Sequence, residues 1–143
     1  MYENTINEIL SRDSTTRHMF IGTFSYDEIP IVTEYPSCMV FNTEPRSEAG
    51  EHWLACYFDE QKNSYFFDSY GNDPTFYELD DYLVKNSNKI YYNRLKIQGL
   101  LPYCGFYCIF FLLFISRGKL KEFYKPFGKN LFQNDYFIQN NIK

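Results

Sequence analysis

The sequence predicts an α+β fold in which a central, mostly antiparallel sheet packs against one buried helix. Two strand-like runs, His52 to Asp59 and Ser64 to Asp68, are joined by four polar residues, which is the spacing of a β-hairpin. Residues 105–117 are apolar nearly all round, as is typical of a helix that is buried on every side. The 143 residues, 45% of them hydrophobic, suffice for a hydrophobic core, so we expect a single domain over residues 1–143.

The first half of the chain contains one further helix and two further strand candidates. Apolar residues at helical spacing in residues 5–10 predict a short N-terminal helix. Residues 19–23 are a short apolar run, which predicts a strand or the loop before one. Residues 35–42 include four consecutive apolar residues and predict a buried strand. Residues 43–51 are polar and contain a proline and a glycine, so we expect a loop there.

The elements before and after the buried helix are predicted from the positions of proline and glycine and from the spacing of apolar residues. We expect a helix from Pro74 to about Val84, because proline suits a helix start and apolar residues then recur on one face. Residues 89–96 predict another strand. Beyond residue 119 we expect helical pieces that are broken at Pro126 and Gly128.

The charge and the apolar runs limit the kinds of partner. A net charge of −4 argues against strong, charge-driven binding of nucleic acid, which needs a basic face. The longest apolar stretch, Ile109 to Ile115, is too short to cross a bilayer, so we expect no membrane partner. We interpret four lysines near the C-terminus as a solvated face: Lys119, Lys121, Lys125 and Lys129.

The cysteines and the first residues favour an intracellular location. The N-terminal segment Met1 to Asn4 is polar and acidic, which predicts no signal peptide. Cys38 and Cys56 lie in apolar runs, and Cys104 and Cys108 do not have the spacing of a zinc pair. A reducing compartment fits best, and we expect no metal or other cofactor.

Four residues in a fixed order point to a function: His52, Asp68, Gln98 and Cys104. An imidazole, a carboxylate, an amide and a thiol are the groups that a cysteine nucleophile needs for acyl transfer. We expect Cys104 to be the nucleophile, because it precedes the buried helix at a turn where unpaired N–H groups and the helix dipole lower the pKa of a thiol. Gln98, six positions earlier, is the expected side-chain donor to the oxyanion, beside the backbone N–H of Cys104.

The two ends of the predicted hairpin supply the base and its partner. We expect His52 to accept the thiol proton and later to protonate the leaving amine. Asp68 ends the neighbouring strand, so its carboxylate can orient the imidazole ring. Asp59 is a competing candidate that falls at the hairpin turn, and Asp73 is a weaker rival in a loop.

These residues and their surroundings resemble the adenovirus maturation protease (adenain) family and its relatives in large DNA transposons and other viruses. The likeness runs from about Phe20 to Arg117. It includes a Gly-Thr segment, an Asn-Thr segment, a His-Trp pair, an acid-x-aromatic-Gly box, a Gln-Gly pair and a Cys-Gly-x-x-Cys box. The corresponding residues are 20–24, 40–43, 46–53, 67–71, 98–99 and 104–108.

The resemblance implies a papain-related fold with the nucleophile at the start of the buried helix. It implies a triad of Cys104, His52 and Asp68, with Gln98 in the oxyanion hole. It also implies that the substrates are viral precursor polypeptides cut at Gly-containing sites, in the host cytoplasm or nucleus or inside the virion. Aromatic residues beside the four positions predict a narrow cleft that favours glycine: Trp53, Tyr70, Tyr103 and Phe106.

The chain departs from the adenoviral pattern in ways that concern activation. It is shorter and acidic, whereas the adenoviral enzyme is basic and uses DNA as a cofactor. No cysteine lies between Asp68 and Gln98, the region that supplies the adenoviral enzyme's disulfide to its activating peptide. We therefore carry over neither activation mechanism, and whether an activating peptide exists stays open.

Other functions share the same order of residues. SUMO-specific proteases and their bacterial effector relatives, some of which are acetyltransferases, have His, Asp, Gln and Cys in this order as well. A ubiquitin-like deconjugase or an effector acyltransferase is therefore an alternative. A binding module that retains the fold without activity is the non-enzymatic alternative.

Overall fold

The computed structural model describes residues 3–44 and 52–142, so most of the predicted loop at 43–51 lies outside the described residues. Within these ranges the chain forms a five-stranded sheet and five α-helices. The strands are β1 (Phe20–Phe24), β2 (Ser37–Asn42), β3 (Trp53–Phe58), β4 (Ser64–Phe67) and β5 (Ile90–Tyr92). The helices are α1 (Glu3–Arg12), α2 (Asp80–Asn86), α3 (Cys104–Ile115), α4 (Leu120–Tyr124) and α5 (Leu131–Asn141).

The α+β class is confirmed, but the sheet is mixed rather than mostly antiparallel. Its strands lie side by side in chain order, with β2–β3 and β3–β4 antiparallel and with β1–β2 and β4–β5 parallel. Parallel neighbours need a crossover connection of about a dozen residues or more. Residues 25–36 provide one crossover, and residues 68–89, which include α2, provide the other. The prediction was wrong because only the tight hairpin leaves a local signal.

The predicted hairpin is confirmed, and its geometry accounts for Asp59. Ala55 pairs with Phe67 across β3 and β4. The Asp59 carboxylate accepts hydrogen bonds from the backbone N–H groups of Gln61 (3.0 Å) and Asn63 (2.9 Å). Asp59 is therefore a turn residue, at the end of the hairpin away from His52.

Two predicted elements are shorter than expected. Residues 74–84 do not form one helix, because Glu78 adopts a left-handed backbone (φ 59°) that separates a 3₁₀ turn, Pro74–Tyr77, from α2. The strand expected at 89–96 ends at Tyr92, because the side chain of Asn93 bonds to the backbone of Asp68 instead of continuing the sheet.

The sheet is covered on both faces, which explains why every residue of β2 is buried. One face packs against α1 and α3 through Cys38, Val40, Ala55 and Phe67. The other packs against α2 and the segment before it through Met39, Phe41, Leu54, Cys56 and Phe66. The apolar helix α3 packs against β3. Its predicted burial on every side holds only in part, because one stripe of the helix is half-buried: Phe106, Phe110, Leu113 and Phe114. Across the described ranges, no helix combines the length and the apolar character needed to span a bilayer.

Candidate active site

The hairpin brings His52 and Asp68 together. His52 immediately precedes β3 and Asp68 immediately follows β4, and in an antiparallel pair the start of one strand lies beside the end of the other. Nε2 of His52 lies 2.6 Å from Oδ1 of Asp68. The side chain of His52 is 10% exposed and that of Asp68 is fully buried, so water competes little for this bond.

The Asp68 carboxylate is stabilised by four donors. Beside His52, its Oδ1 accepts the backbone N–H of Tyr70 (3.0 Å), and its Oδ2 accepts the Tyr77 hydroxyl (2.5 Å) and the backbone N–H of Asn72 (3.2 Å). Burial by itself raises the pKa of Asp68. The hydrogen bond and charge of His52, with the bonds from Tyr77 and Tyr70, outweigh burial and leave that pKa below its ordinary value. Asp68 is therefore an anion at neutral pH.

The backbone of Asp68 is held as firmly as its side chain. Asn93 accepts the Asp68 N–H (3.1 Å) and donates to the Asp68 carbonyl (2.6 Å). Gly71 closes the loop with a left-handed backbone (φ 78°), and a Cβ there would lie 2.8 Å from the backbone of Leu95. Sequence reasoning missed Tyr77 and Asn93, because neither has a motif and each comes from a separate element.

Cys104 is the first residue of α3 and is 8% exposed. Its thiol hydrogen-bonds to the His52 side chain and to the backbone N–H groups of Trp53 and Gly105. Because Nε2 of His52 faces Asp68, Nδ1 is the ring nitrogen left for the thiol. Cys104, His52 and Asp68 thus form one continuous hydrogen-bonded chain.

The electrostatics of this chain favour an ion pair. Burial by itself raises the pKa of the Cys104 thiol, but the hydrogen bond and charge of His52, with N–H donation from Trp53 and Gly105, lower the pKa below its ordinary value. Burial by itself lowers the pKa of His52, but hydrogen bonds to Asp68 and Cys104 and the charges of both raise it to about 9. Both shifts favour a thiolate paired with an imidazolium.

The remaining cysteines have the opposite character. Burial raises the pKa of Cys38, Cys56 and Cys108, and all three are fully buried. Cys108 lies one turn along α3 from Cys104, and its Sγ contacts the Trp53 carbonyl at 3.4 Å. It therefore packs against β3.

Aromatic rings pack on the imidazole and at the start of α3. The Tyr70 ring stacks on the His52 ring with centroids 4.5 Å apart and an interplanar angle of 17°. Nζ of Lys96 lies 5.2 Å from the centre of the Tyr70 ring. Tyr103 and Phe106 meet edge to face with their centroids 6.2 Å apart at the start of α3. The stacked ring limits how far the imidazole can rotate.

Gln98 is buried beside the turn that leads into α3. Its Oε1 accepts the Ser69 hydroxyl, and its Nε2 donates to the Leu101 carbonyl at 2.7 Å. These bonds link Gln98 to the loop after Asp68 and to the turn before Cys104. An amide nitrogen has two hydrogens, so the Leu101 bond uses one of two.

No protein-family model matches this chain, and no curated protein matches it either.

Proposed function

We propose that this protein is a cysteine endopeptidase, with Cys104 as nucleophile, His52 as general base and acid, Asp68 as the group that orients His52, and Gln98 as an oxyanion donor. The observation that carries the proposal is the hydrogen-bonded chain from Cys104 through His52 to Asp68. It joins a thiol with a lowered pKa to a base whose pKa is raised to about 9. The adenain-like form of the α+β fold is part of this proposal.

In the first half of the reaction, the Cys104 thiolate attacks the carbonyl carbon of the scissile peptide bond. The carbonyl oxygen becomes an oxyanion in the tetrahedral intermediate. The protonated His52 then donates its Nδ1 proton to the leaving amine, the C–N bond breaks, and a thioester links the substrate to Cys104.

In the second half, His52 removes a proton from a water molecule that attacks the thioester. The C–S bond breaks, the carboxylic acid product leaves, and the thiolate and imidazolium are restored. Throughout, Asp68 keeps the imidazole in one orientation and stabilises its positive charge.

The oxyanion needs donors that are in place before it forms. The first N–H groups of a helix have no partner within the helix, and Cys104 is the first residue of α3. In the proposed mechanism, the backbone N–H of Cys104 and the second Nε2 hydrogen of Gln98 bind the oxyanion. One such donor contributes a factor of roughly 10²–10³ in rate.

The proposed substrates are viral precursor polypeptides cut at Gly-containing sites, and the proposed location is the host cytoplasm or nucleus, or the virion. Support for the substrate comes from the resemblance to the adenain family. Support for a narrow cleft comes from the Tyr70 ring, which stacks on His52, and from the Tyr103 and Phe106 rings at the start of α3.

A matched pair of cysteine variants tests the proposed activity. The purified protein is incubated with candidate virion precursors and with a peptide library, and the cut sites are mapped by mass spectrometry. Cys104→Ala is expected to abolish cleavage, and Cys108→Ala, on the same helix, is expected to retain most of it. Turnover by Cys104→Ala, or no cleavage of any substrate by the natural chain, contradicts the proposal.

A further inference from the structure

Helix α5 carries a buried carboxylate that reaches the turn before the nucleophile. Asp135 is 1% exposed. Its Oδ1 accepts the backbone N–H of Gly99 (3.0 Å) and the hydroxyl of Tyr107 (2.7 Å), and its Oδ2 accepts the backbone N–H of Leu101 (3.1 Å). A buried charge is costly unless it is hydrogen-bonded, and these three donors supply its partners.

The three donors to Asp135 belong to the turn that follows Gln98 and to helix α3. Gly99 is the next residue after Gln98. Leu101 bonds to Asp135 through its N–H and to the Gln98 amide through its carbonyl. Tyr107 belongs to α3, three positions after Cys104. One carboxylate therefore ties the Gln98 turn to the helix that begins at Cys104.

The fit between α5 and this turn is close. A Cβ at Gly99 would lie 2.8 Å from Oδ2 of Asp135 and 3.1 Å from the Leu131 carbonyl oxygen, so a larger residue would push the carboxylate away. The neighbouring Asn134 donates to the carbonyl of Ile97 at 3.0 Å, on the other side of Gln98. Helix α5 thus holds the backbone before and after Gln98.

We propose that Asp135 is the positioning residue for the oxyanion side of the site, acting through the backbone of Gly99 and Leu101 on the amide of Gln98. This inference rests on the proposed function. Asp135 has no bond to Cys104 or His52 among its hydrogen bonds, so it acts on oxyanion binding and not on formation of the thiolate. A misplacement of about 1 Å in such a group can cost roughly 100-fold in rate.

The variant Asp135→Asn keeps the shape of the side chain and removes one acceptor, because an amide NH₂ cannot accept an N–H. We expect kcat for peptide hydrolysis to fall about 10- to 100-fold. Alkylation of Cys104 by iodoacetamide forms no oxyanion, so its rate should change less than about twofold. Hydrogen exchange of residues 98–103, followed by mass spectrometry, should become faster.

Asp13→Asn is the matched control. Asp13 also accepts two backbone N–H groups, those of Thr15 and Thr16, and a side-chain donor, Arg117. Arg117 follows the C-terminal end of α3, whereas Cys104 begins the helix. Asp13→Asn should lower the free energy of unfolding. It should not lower kcat selectively while leaving the alkylation rate of Cys104 unchanged.

The outcomes separate this inference from the proposed function. Equal losses of kcat and alkylation rate in Asp135→Asn, or unchanged kcat, overturn the inference. If the natural chain cleaves nothing, the proposed function fails, and unchanged exchange in residues 98–103 then overturns the inference by itself. If Asp135→Asn does not fold, Gly99→Ala replaces it, because the added Cβ displaces the same carboxylate. Gly99→Ala must then lower kcat while leaving the alkylation rate of Cys104 nearly unchanged.

Discussion

Asn93 binds the backbone of Asp68 at both of its polar groups, accepting the N–H at 3.1 Å and donating to the carbonyl at 2.6 Å. Only an amide side chain offers an acceptor and a donor in this arrangement. The carboxylate that orients His52 therefore depends on a residue 25 positions away in the chain.

Asn93→Ala should weaken both the fold and catalysis. It leaves the N–H of Asp68 without its acceptor and removes one of the two donors to the Asp68 carbonyl, which keeps the Gly71 N–H (2.8 Å), and this costs about 1–3 kcal/mol in the free energy of unfolding. We expect kcat to fall about tenfold because the carboxylate is less well placed. Urea unfolding and peptide hydrolysis measure the two effects. Asn88→Ala, which removes a bond to the Gln61 carbonyl in the exposed hairpin turn, is the control and should leave kcat unchanged.

Cys104 should react with iodoacetamide much faster than Cys38, Cys56 or Cys108 near neutral pH. Its pKa is lowered, whereas burial raises the pKa of the other three. His52→Ala should slow labelling at Cys104 alone, because the charge that stabilises the thiolate is lost. Mass spectrometry after brief labelling is the measurement, and similar labelling at all four sites would count against the ion pair.

The rate of acylation should show a bell-shaped dependence on pH. The reactive form needs a thiolate and an imidazolium, and the pKa of His52 is raised to about 9. Activity should therefore persist well above the ordinary pKa of histidine and decline near pH 9. A decline centred near pH 6.5, the ordinary pKa of histidine, would show that His52 is not held by Asp68 and Cys104.

Tyr77→Phe should lower stability at neutral pH and make stability depend less on acidification. The pKa of Asp68 is lowered in the folded state, so its stabilisation is present above the unfolded pKa and is lost as pH falls through the folded pKa. Removing the Tyr77 hydroxyl raises the folded pKa towards its ordinary value, so less stabilisation is present at pH 7, less is lost on acidification, and the difference between the two proteins narrows at low pH. We expect about 1.5–3 kcal/mol lower stability at pH 7, measured by urea unfolding across pH. Equal stability of both proteins from pH 7 to pH 3 would refute this.

Glycine immediately before the cut should be preferred over alanine by about tenfold or more, roughly 1.4 kcal/mol in the transition state. Tyr70 stacks on His52, and Tyr103 and Phe106 pack together at the start of α3, so we expect bulky rings to narrow the approach to Cys104. A peptide library in which a large apolar or basic residue dominates this position would contradict the expectation. A deconjugase would cut an intact SUMO or ubiquitin fusion far faster than the isolated tail, whereas an adenain-like enzyme would not.

The features that the sequence predicts well are local. The hairpin follows from two strand patterns and a short polar turn, and it brings His52 and Asp68 together. The parallel pairings could not be predicted, because the sequence of a strand does not show that a crossover connects it to its neighbour. For the same reason Tyr77, Asn93 and Asp135 have no signal of their own. Each becomes recognisable only when separate elements meet.

The role of α5 has a consequence for the order of synthesis. A nascent chain that has emerged only through α3 already contains the thiol, the imidazole, the carboxylate and the amide of the site. It still lacks Asp135 and Asn134, which hold the backbone on both sides of Gln98. On the ribosome, the oxyanion side is therefore assembled last, after the nucleophile and its base have already been made.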